Sequence, residues 1–372
     1  KAYKSRALLY AASPLNNELG ATDWENAAKA AWEAIQLALN NQYALMTKDK
    51  RSDNFYGVDY SNEQIWAWAA GNKSWNTGDF AGLFNGVFGA SKSSWSGVCP
   101  TQNFADKYET KYGEALNTEA DRAAAIAAGH YKEQDPYANR DPRFATDLIY
   151  NQSPCQGWAS NKAQIYIDRS TGETKYSELL DQSYLGITRT GYYLRKNWGN
   201  SSTKKKDSFR QSDPLIRLAE LYLNYAEASN EAYGPKVIGV PGATLTAEQA
   251  IVVIRNRMGQ NTNGAVLPKY TVDKETFRER IKNERNVELA FEGHYYHDIR
   301  RWMDAPACYS SKLIGMIAEK VPTSSTYPTG YKYVRQALGV DRQPSWKPAM
   351  YYLPFNTTDN WKMRNFVPNE VW

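Results

Sequence analysis

The chain has 372 residues, of which 42% are hydrophobic and 23% charged, and its formal net charge is +5 at pH 7. This composition is typical of a folded globular protein and excludes a disordered chain, while the small net charge gives no indication of nucleic-acid binding. No apolar run is long enough to cross a bilayer.

Three cysteines, Cys99, Cys155 and Cys308, form neither a zinc spacing nor a disulfide framework, and the sequence leaves open whether one pair is bridged. The chain begins with Lys1, and its first predicted helix starts at once without a cap. We therefore expect a fragment or a processed product.

Two helices are predicted at the start of the chain, over residues 2–12 and 22–39. The second opens with Thr22-Asp23-Trp24-Glu25, the pattern of a capping box in which Glu25 reaches back to the Thr22 amide. Its many alanines would let a neighbouring helix approach closely. Two alanine-rich helices joined by a loop indicate an αα-hairpin, the unit of helical-repeat proteins.

Regular periodicity fades from about residue 48, where glycine, serine and asparagine dominate. Short helices are predicted at 62–70, 104–111 and 117–128, the last with Asn117 or Thr118 as its cap. Short strands are predicted at 145–150, 163–168 and 191–196.

The second half of the chain has the clearest helical pattern. Helices are predicted at 214–232, 246–258, 274–291 and 294–302. Asp213 is expected to cap the first, with Pro214 at its first position, and Thr246 is expected to cap the second. The residues after 302 are predicted to be irregular with short strands.

These segments carry a set of motifs in a defined order. They are LIRLAELYLNYAEA at 215–228, IRNRMG at 254–259, ERNVELAFEG at 284–293, DIRRW at 298–302, PTQNF at 100–104 and DPRF at 141–144. The set resembles the SusD/RagB family along the whole chain, and residues 6–14, 24–28 and 369–372 fit it as well. The chain departs from the family at Tyr295, where an arginine is usual, and at His297, which replaces an aromatic residue.

The resemblance implies a mainly α fold, a tetratricopeptide-like helical-repeat scaffold with a loop-rich, aromatic-rich insert and short strands. It implies an outward-facing protein of the bacterial outer membrane that delivers nutrients, most often glycans, to a SusC-like TonB-dependent transporter. We expect the family's N-terminal third, with its lipid anchor, to be missing from this chain. We expect one SusD-like domain over 1–372, with a helical hairpin at 1–47, a loop-rich insert with the candidate ligand loops at 48–212, signature helices at 213–302 and an irregular C-terminal region at 303–372.

Aromatic residues are the candidate ligand contacts, because flat rings match the C–H face of a sugar and amides match its hydroxyls. Trp66 and Trp68 are expected in the core, on a short helix, as are the helical Trp24, Trp32 and Trp302. Trp75 and Trp95 lie in polar loops, where a large ring can either bind a ligand or pack back onto the domain, and the sequence favours neither role. The candidate ligand-binding residues are Trp75, Trp95, Asn72, Asn76 and Phe80.

The sequence does not favour a catalytic site or a metal site. His294, His297 and Asp298, with Glu292 near, have a spacing that can hold a metal, but bracing of helices is the simpler reading. Glu288 and Glu292 share a helix face, as paired carboxylates would, yet Arg285, Arg300 and Arg301 offer them partners. A buried or half-buried ion-pair network between stacked helices is predicted for Arg217, Glu220 and Glu227. No cofactor and no metal are predicted.

The sequence therefore predicts non-catalytic capture of oligosaccharides at the bacterial cell surface for delivery to a transporter. Two alternatives stay open. One is a peptide-binding member of the same family, and the other is an α-helical glycoside hydrolase.

Overall fold

The structure is a computed structural model that describes residues 1–55, 60–73, 98–155, 161–177, 180, 187–196, 209–259 and 262–353. The helices of this part are α1 (Ala2–Ala12), α2 (Ala21–Asn40), α3 (Gln102–Ala105), α4 (Glu119–Ala127), α5 (Pro142–Asp147), α6 (Leu218–Tyr233), α7 (Ala247–Asn256), α8 (Lys274–Glu288), α9 (Tyr295–Arg301) and α10 (Ala305–Ser310). The strands are β1 (Gln64–Lys73), β2 (Leu148–Ile149), β3 (Ile167–Asp168), β4 (Lys175–Tyr176), β5 (Tyr193–Leu194), β6 (Phe209–Arg217), β7 (Ile314–Lys320) and β8 (Tyr331–Ala337). The mainly α fold class is confirmed.

The predicted helical hairpin is formed by α1 and α2. The Lys1 ammonium at the start of α1 contacts the Glu33 carboxylate in the second half of α2 at 2.6 Å, so the two helices run antiparallel. The alanines of α2 between Ala27 and Ala38 are buried, which lets α6 pack closely against it. Small side chains are what allow this close approach.

Helix α6 lies at the centre of the main hydrophobic core. It contacts α2 on one side and α7 and α8 on others, and its residues from Leu218 to Asn230 are all buried. A helix that is buried all round must satisfy its polar side chains internally. The carboxylates of Glu220 and Glu227 are each paired with an arginine.

Within the described ranges, the strands form three small sheets. β1 and β6 make an antiparallel two-stranded ribbon, β2 pairs with β5, and the third sheet has the order β4-β3-β7-β8. β7 and β8 are longer than the short strands predicted for the C-terminal region, with seven residues each. The division of the chain into four segments stays a prediction.

Two predicted caps are present, and the predicted capping box at Thr22 is wrong. Thr118 and Thr246 cap α4 and α7, each with a reciprocal side-chain contact three residues later. α2 begins earlier than predicted, with Gly20 as its N-cap, so Thr22 already lies within the helix. The carboxylate of Asp23 instead accepts the amide of Leu19 at 3.0 Å and secures the entry of the chain.

Several predicted boundaries are wrong because strand pairing overrides local propensity. The helix expected at 62–70 is strand β1, and the helix expected from Pro214 starts only at Leu218. Asp213 and Pro214 belong to β6, with Pro214 opposite Ala67. Proline fits there because a two-stranded ribbon has outer edges where a missing amide loses no ladder bond.

The middle of the chain matches the prediction in part. Of the strand expected at 145–150, only β2 forms, and α5 precedes it with Asp141 as cap, whose carboxylate accepts the Arg143 amide at 2.8 Å. The strands expected at 163–168 and 191–196 shorten to β3 and β5, and the helix expected at 104–111 is replaced by the shorter α3. Cys99, Cys155 and Cys308 form no disulfide with one another. Across the described residues, no helix has both the length and the apolar character to cross a membrane.

Candidate functional site

Most of the predicted ligand-binding residues lie outside the described residues. These are Trp75, Asn76, Phe80 and Trp95. Asn72 belongs to β1, where its backbone pairs with Arg210 of β6. Ligand binding by these five residues therefore stays a prediction. The structure adds that Asn72 lies on the ribbon formed by β1 and β6.

Trp66 and Trp68 were predicted to be core residues, and this prediction is wrong. The side chains are 54% and 66% exposed. The reason is that they lie on a strand instead of a helix, where residues two apart point to the same face. Both indoles therefore stand on the solvent-facing side of β1. The other predicted core tryptophans are inside: Trp32 and Trp302 are buried, and Trp24 is partly buried against the main core.

A carboxylate stands beside these rings. Asp213 of β6 is the direct cross-strand partner of Trp68, and directly opposed residues of an antiparallel pair lie on one face, about 5 Å apart at their Cβ atoms. We call Trp66, Trp68 and Asp213 the tryptophan face. It combines two flat apolar surfaces with a hydrogen-bond acceptor, which is the chemistry that a sugar ring requires.

The ribbon is fixed at its base by buried contacts. Glu63 directly precedes β1, and its carboxylate contacts the guanidinium of Arg217, the last residue of β6, at 2.6 Å. The Leu218 amide donates to the Glu63 carbonyl at 2.9 Å. Gln64 also donates to the Ser212 hydroxyl at 2.8 Å. The two strands are therefore tied to each other and to the start of α6.

The Arg217–Glu63 pair belongs to a larger buried group. We call it the ionic cluster, and its members are Arg51, Glu63, Arg143, Asp147, Lys196, Arg217, Arg257, Glu288 and Glu292. Glu288 lies at its centre: it contacts Arg217 at 2.7 Å and Arg143 at 3.0 Å, and it also contacts Arg257. Burial disfavours the charge of Glu288, but the surrounding arginines outweigh burial and hold its pKa well below the usual range. The carboxylates considered as a possible catalytic pair thus have arginine partners, but these are not the Arg285, Arg300 and Arg301 that the sequence suggested.

A second buried group joins α8 and α9 to the central helix α6. Arg301 contacts Glu227 at 2.5 Å and Asp298 at 2.7 Å, and Arg285 contacts Asp298 at 3.2 Å. Against the effect of burial, these two arginines hold the pKa of Asp298 at about 2. Because Asp298 is paired with two arginines, the contacts support a structural role in which this carboxylate holds helices together. Among the described residues, no group of three His, Cys, Asp or Glu side chains could hold a metal ion.

The predicted ion-pair network of Arg217, Glu220 and Glu227 exists as buried pairs, but the three residues have different partners. Glu220 contacts Arg6 of α1 at 2.6 Å, while Glu227 contacts Arg301 and Arg217 belongs to the ionic cluster. Arg6 lies 214 residues from Glu220. The sequence shows that such residues need partners, but it does not show which ones are close in space.

Comparison with known proteins gives a consistent result. The model of the SusD family matches residues 62–372. The SusD-like protein P25 of Formosa agariphila is 35% identical over 122 residues, which are 32% of this chain and 21% of that protein.

Solved structures agree in fold. A SusD-like protein of Bacteroides fragilis superposes with a TM-score of 0.67 at 22% identity, over 100% of this chain and 64% of that one. A second protein of that species, described as a SusD-like carbohydrate binding protein, gives a TM-score of 0.58 at 22% identity, over 96% of this chain and 62% of that one. The chain therefore spans less than two thirds of the length of these relatives.

Proposed function

Since the chain belongs to the SusD family, we propose that it captures oligosaccharides without cleaving them and delivers them to a TonB-dependent outer-membrane transporter. The observation that carries this proposal is the tryptophan face. Two large indoles exposed on one side of a strand are unusual in a protein surface and are typical of a binding site. The B. fragilis relative described as carbohydrate binding supports a glycan as the ligand.

The geometry of the face suits a chain of sugar units. Trp66 and Trp68 lie two residues apart on β1, so their Cα atoms are about 7 Å apart along the strand. Each ring can stack on the C–H face of a sugar, and the Asp213 carboxylate beside Trp68 can accept hydrogen bonds from sugar hydroxyls. β1 ends at Lys73, immediately before the segment that holds Trp75 and Trp95. We propose that these loop residues, with Asn72, Asn76 and Phe80, extend the same site.

The state of the buried carboxylates supports binding without turnover. A glycoside hydrolase requires a carboxylic acid that can donate a proton, with a raised pKa, facing a second carboxylate. Glu288 and Glu292 are instead buried against arginines that lower their pKa values, in spite of the opposing effect of burial. The cell-surface location, a lipid anchor and the transporter partner are proposals that follow from the family.

The test is to measure glycan binding after removal of each ring. A glycan array, with peptides as a second panel, identifies the best ligand, and calorimetric titration then compares wild type with Trp66→Ala and Trp68→Ala. We expect at least one variant to lose affinity by about tenfold or more, the usual cost of removing a central aromatic anchor. Tyr176→Ala, a half-exposed aromatic on β4 in another sheet, is the matched control and should bind normally.

Stability measurements separate a binding defect from misfolding, because neither indole contributes a buried core contact. If both tryptophan variants fold normally and bind as wild type does, the face is not the ligand site. Binding of peptides in preference to every glycan would contradict the proposed ligand class and favour the peptide-binding branch.

A further inference from the structure

The carboxylate of Glu63 is the point at which the ribbon meets the helical scaffold. Glu63 is fully buried and directly precedes β1. One of its oxygens, Oε1, accepts a hydrogen bond from Arg217 at 2.6 Å. The other, Oε2, accepts three: from Arg257 at 2.7 Å, from Asn54 at 2.9 Å and from the backbone amide of Met46 at 3.0 Å. Since a carboxylate offers about four acceptor sites, this one is fully used.

These four donors come from four separate parts of the chain. Met46 lies in the segment after α2, Asn54 ends a 3₁₀ turn, Arg217 ends β6 and Arg257 directly follows α7. Although burial disfavours the charge of Glu63, Arg257 and Arg217 lower the pKa of its carboxyl group, so it is ionised at neutral pH. A charged acceptor strengthens each of these hydrogen bonds. The residue before β1 is therefore held from several directions.

The first residue of β1 is held in a similar way. The Gln64 side chain donates to the Asn54 carbonyl at 2.6 Å and to the Ser212 hydroxyl at 2.8 Å, and it accepts the Ser61 amide at 3.0 Å. On the partner strand, the Ser212 amide donates to the Phe55 carbonyl at 3.0 Å. The ribbon is thus fixed to the scaffold two positions before the tryptophan face begins.

The two indoles lie close to this anchor. Trp66 and Trp68 follow Glu63 by three and five residues, about 10 and 17 Å along an extended strand. More than half of each tryptophan side chain is exposed. The direction of the strand, more than packing around the rings, therefore sets where the two rings point.

We propose that Glu63 is the positioning residue of the tryptophan face. It touches no ligand, and its carboxylate holds β1 in the orientation in which both indoles can stack on one glycan at the same time. The proposal rests on the function proposed above. A ribbon with a loosened base has to be ordered when the glycan binds, and that ordering reduces affinity. Neutralising Glu63 should therefore weaken glycan binding without removing any group that touches the glycan.

Glu63→Gln is the test variant because it keeps the shape of the side chain. Its amide oxygen can still accept the three hydrogen bonds made to Oε2, but its NH₂ group cannot accept the one from Arg217. Calorimetric titration with the best glycan of the array, well below the melting temperature, should show roughly tenfold weaker binding. This is the order expected when two additional side chains must be immobilised.

Glu227→Gln is the matched control. Glu227 is only 3% exposed and accepts hydrogen bonds from Arg301 at 2.5 and 2.8 Å, but it lies in the second half of α6, away from the ribbon. This substitution should lower the free energy of unfolding and leave the glycan affinity of the folded protein unchanged. The pair of variants therefore separates positioning of the ribbon from a general loss of stability.

Hydrogen exchange provides a readout that needs no ligand. In Glu63→Gln, the amides of β1 should exchange faster relative to those of β7, which belongs to another sheet. In Glu227→Gln, the ratio between the two strands should stay as in wild type. Mass spectrometry of the peptides that contain these strands measures both rates in one experiment.

If Glu63→Gln does not fold, Arg257→Gln takes its place, because it removes one donor to Glu63 and leaves the Arg217 contact intact. It should shift the exchange ratio and the affinity in the same directions.

Three results would overturn the proposal. They are an unchanged exchange ratio, wild-type affinity in the folded variant, and an equal loss of affinity in Glu227→Gln. Normal binding by both Trp66→Ala and Trp68→Ala would refute the function proposed for the face, and this proposal with it. Loss of binding in those two variants beside normal binding by Glu63→Gln would refute this proposal alone.

Discussion

Replacing Glu292 by alanine should destabilise the protein strongly without changing its ligand site. The Glu292 side chain is 3% exposed. Its carboxylate accepts two hydrogen bonds from Arg217, at 2.7 and 2.8 Å, and one from Lys196 at 2.7 Å. In Glu292→Ala, Arg217 keeps Glu63 and Glu288 as partners, but the buried Lys196 ammonium keeps only the backbone carbonyls of residues 288 and 290. An uncompensated buried charge is therefore created.

The magnitude follows from the pKa of the carboxyl group. Burial alone would raise it, yet the charges of Arg217 and Lys196 hold the pKa of Glu292 at about 2, against an ordinary value of 4.5. At about 1.4 kcal/mol for each unit of pKa, the environment contributes about 3 kcal/mol to the free energy of unfolding at pH 7. Removal of one member of a buried pair typically costs roughly 3–5 kcal/mol, which agrees.

The pH dependence has a defined sign. The folded-state pKa of Glu292 is lowered, so its contribution is fully present above the unfolded pKa of about 4.5 and is lost as the pH falls toward 2. Wild type should therefore lose stability over this range more steeply than Glu292→Ala does. The difference between the two proteins should narrow as the solution becomes more acidic.

Urea unfolding followed by tryptophan fluorescence measures the effect. Glu33→Ala is the control, because the Lys1–Glu33 pair has a similar length of 2.6 Å but lies at the surface, where ion pairs contribute little. Its unfolding midpoint should stay close to that of wild type. Adding Lys196→Met to Glu292→Ala should recover part of the loss, since it removes the unpaired charge. A Glu292→Ala variant that unfolds like wild type, or that folds stably but no longer binds glycan, would refute the reasoning.

Three further predictions concern backbone, capping and chemistry. Gly191→Ala should destabilise the folded protein by about 2 kcal/mol more than Gly129→Ala does. Both glycines have positive φ, but only at Gly191 would the added Cβ clash with a backbone oxygen, that of Met316. Equal thermal unfolding of the two variants would contradict this. Thr246→Ala should lower the free energy of unfolding by about 1 kcal/mol through loss of its capping box. Thr22→Ala should leave it unchanged, because the Thr22 side chain does not cap α2. Urea titration of both variants measures the difference. Incubation with the best glycan ligand should give no shorter products by chromatography, and reproducible cleavage by a clean preparation would show that the protein is an enzyme.

The sequence predicts those elements whose signals are local. The helix caps at Thr118 and Thr246 and the alanine face of α2 each depend on residues within one or two helical turns, and each is present in the structure. The capping pattern at Thr22 is equally local but is overridden, because the helix already begins at Ala21 and the Asp23 carboxylate accepts the amides of Glu18 and Leu19 in the segment before it. A local pattern shows what a segment can form, while the surrounding chain decides whether it does.

The ribbon could not be predicted in this way. β1 contains two alanine-flanked tryptophans that suit a helix as well as a strand, and its partner β6 lies more than 130 residues further along the chain. The strand pairing decides the outcome, and it also reverses the environment of Trp66 and Trp68 from core to solvent. The same holds for the ionic cluster: Glu63 and Arg217 are 154 residues apart, so their pairing is invisible until the chain is folded.

The position of the ionic cluster links stability to recognition. Glu63 lies three residues before Trp66, about 10 Å along the strand, and its contact with Arg217 closes the base of the ribbon. A platform held this near to a rigid base loses little conformational freedom when a ligand binds, so more of the stacking energy remains as affinity. Glu292 supports Arg217 from the side away from this contact, and the Glu63 pair persists without it. For that reason loss of Glu292 should lower stability while each folded molecule keeps its tryptophan face in place.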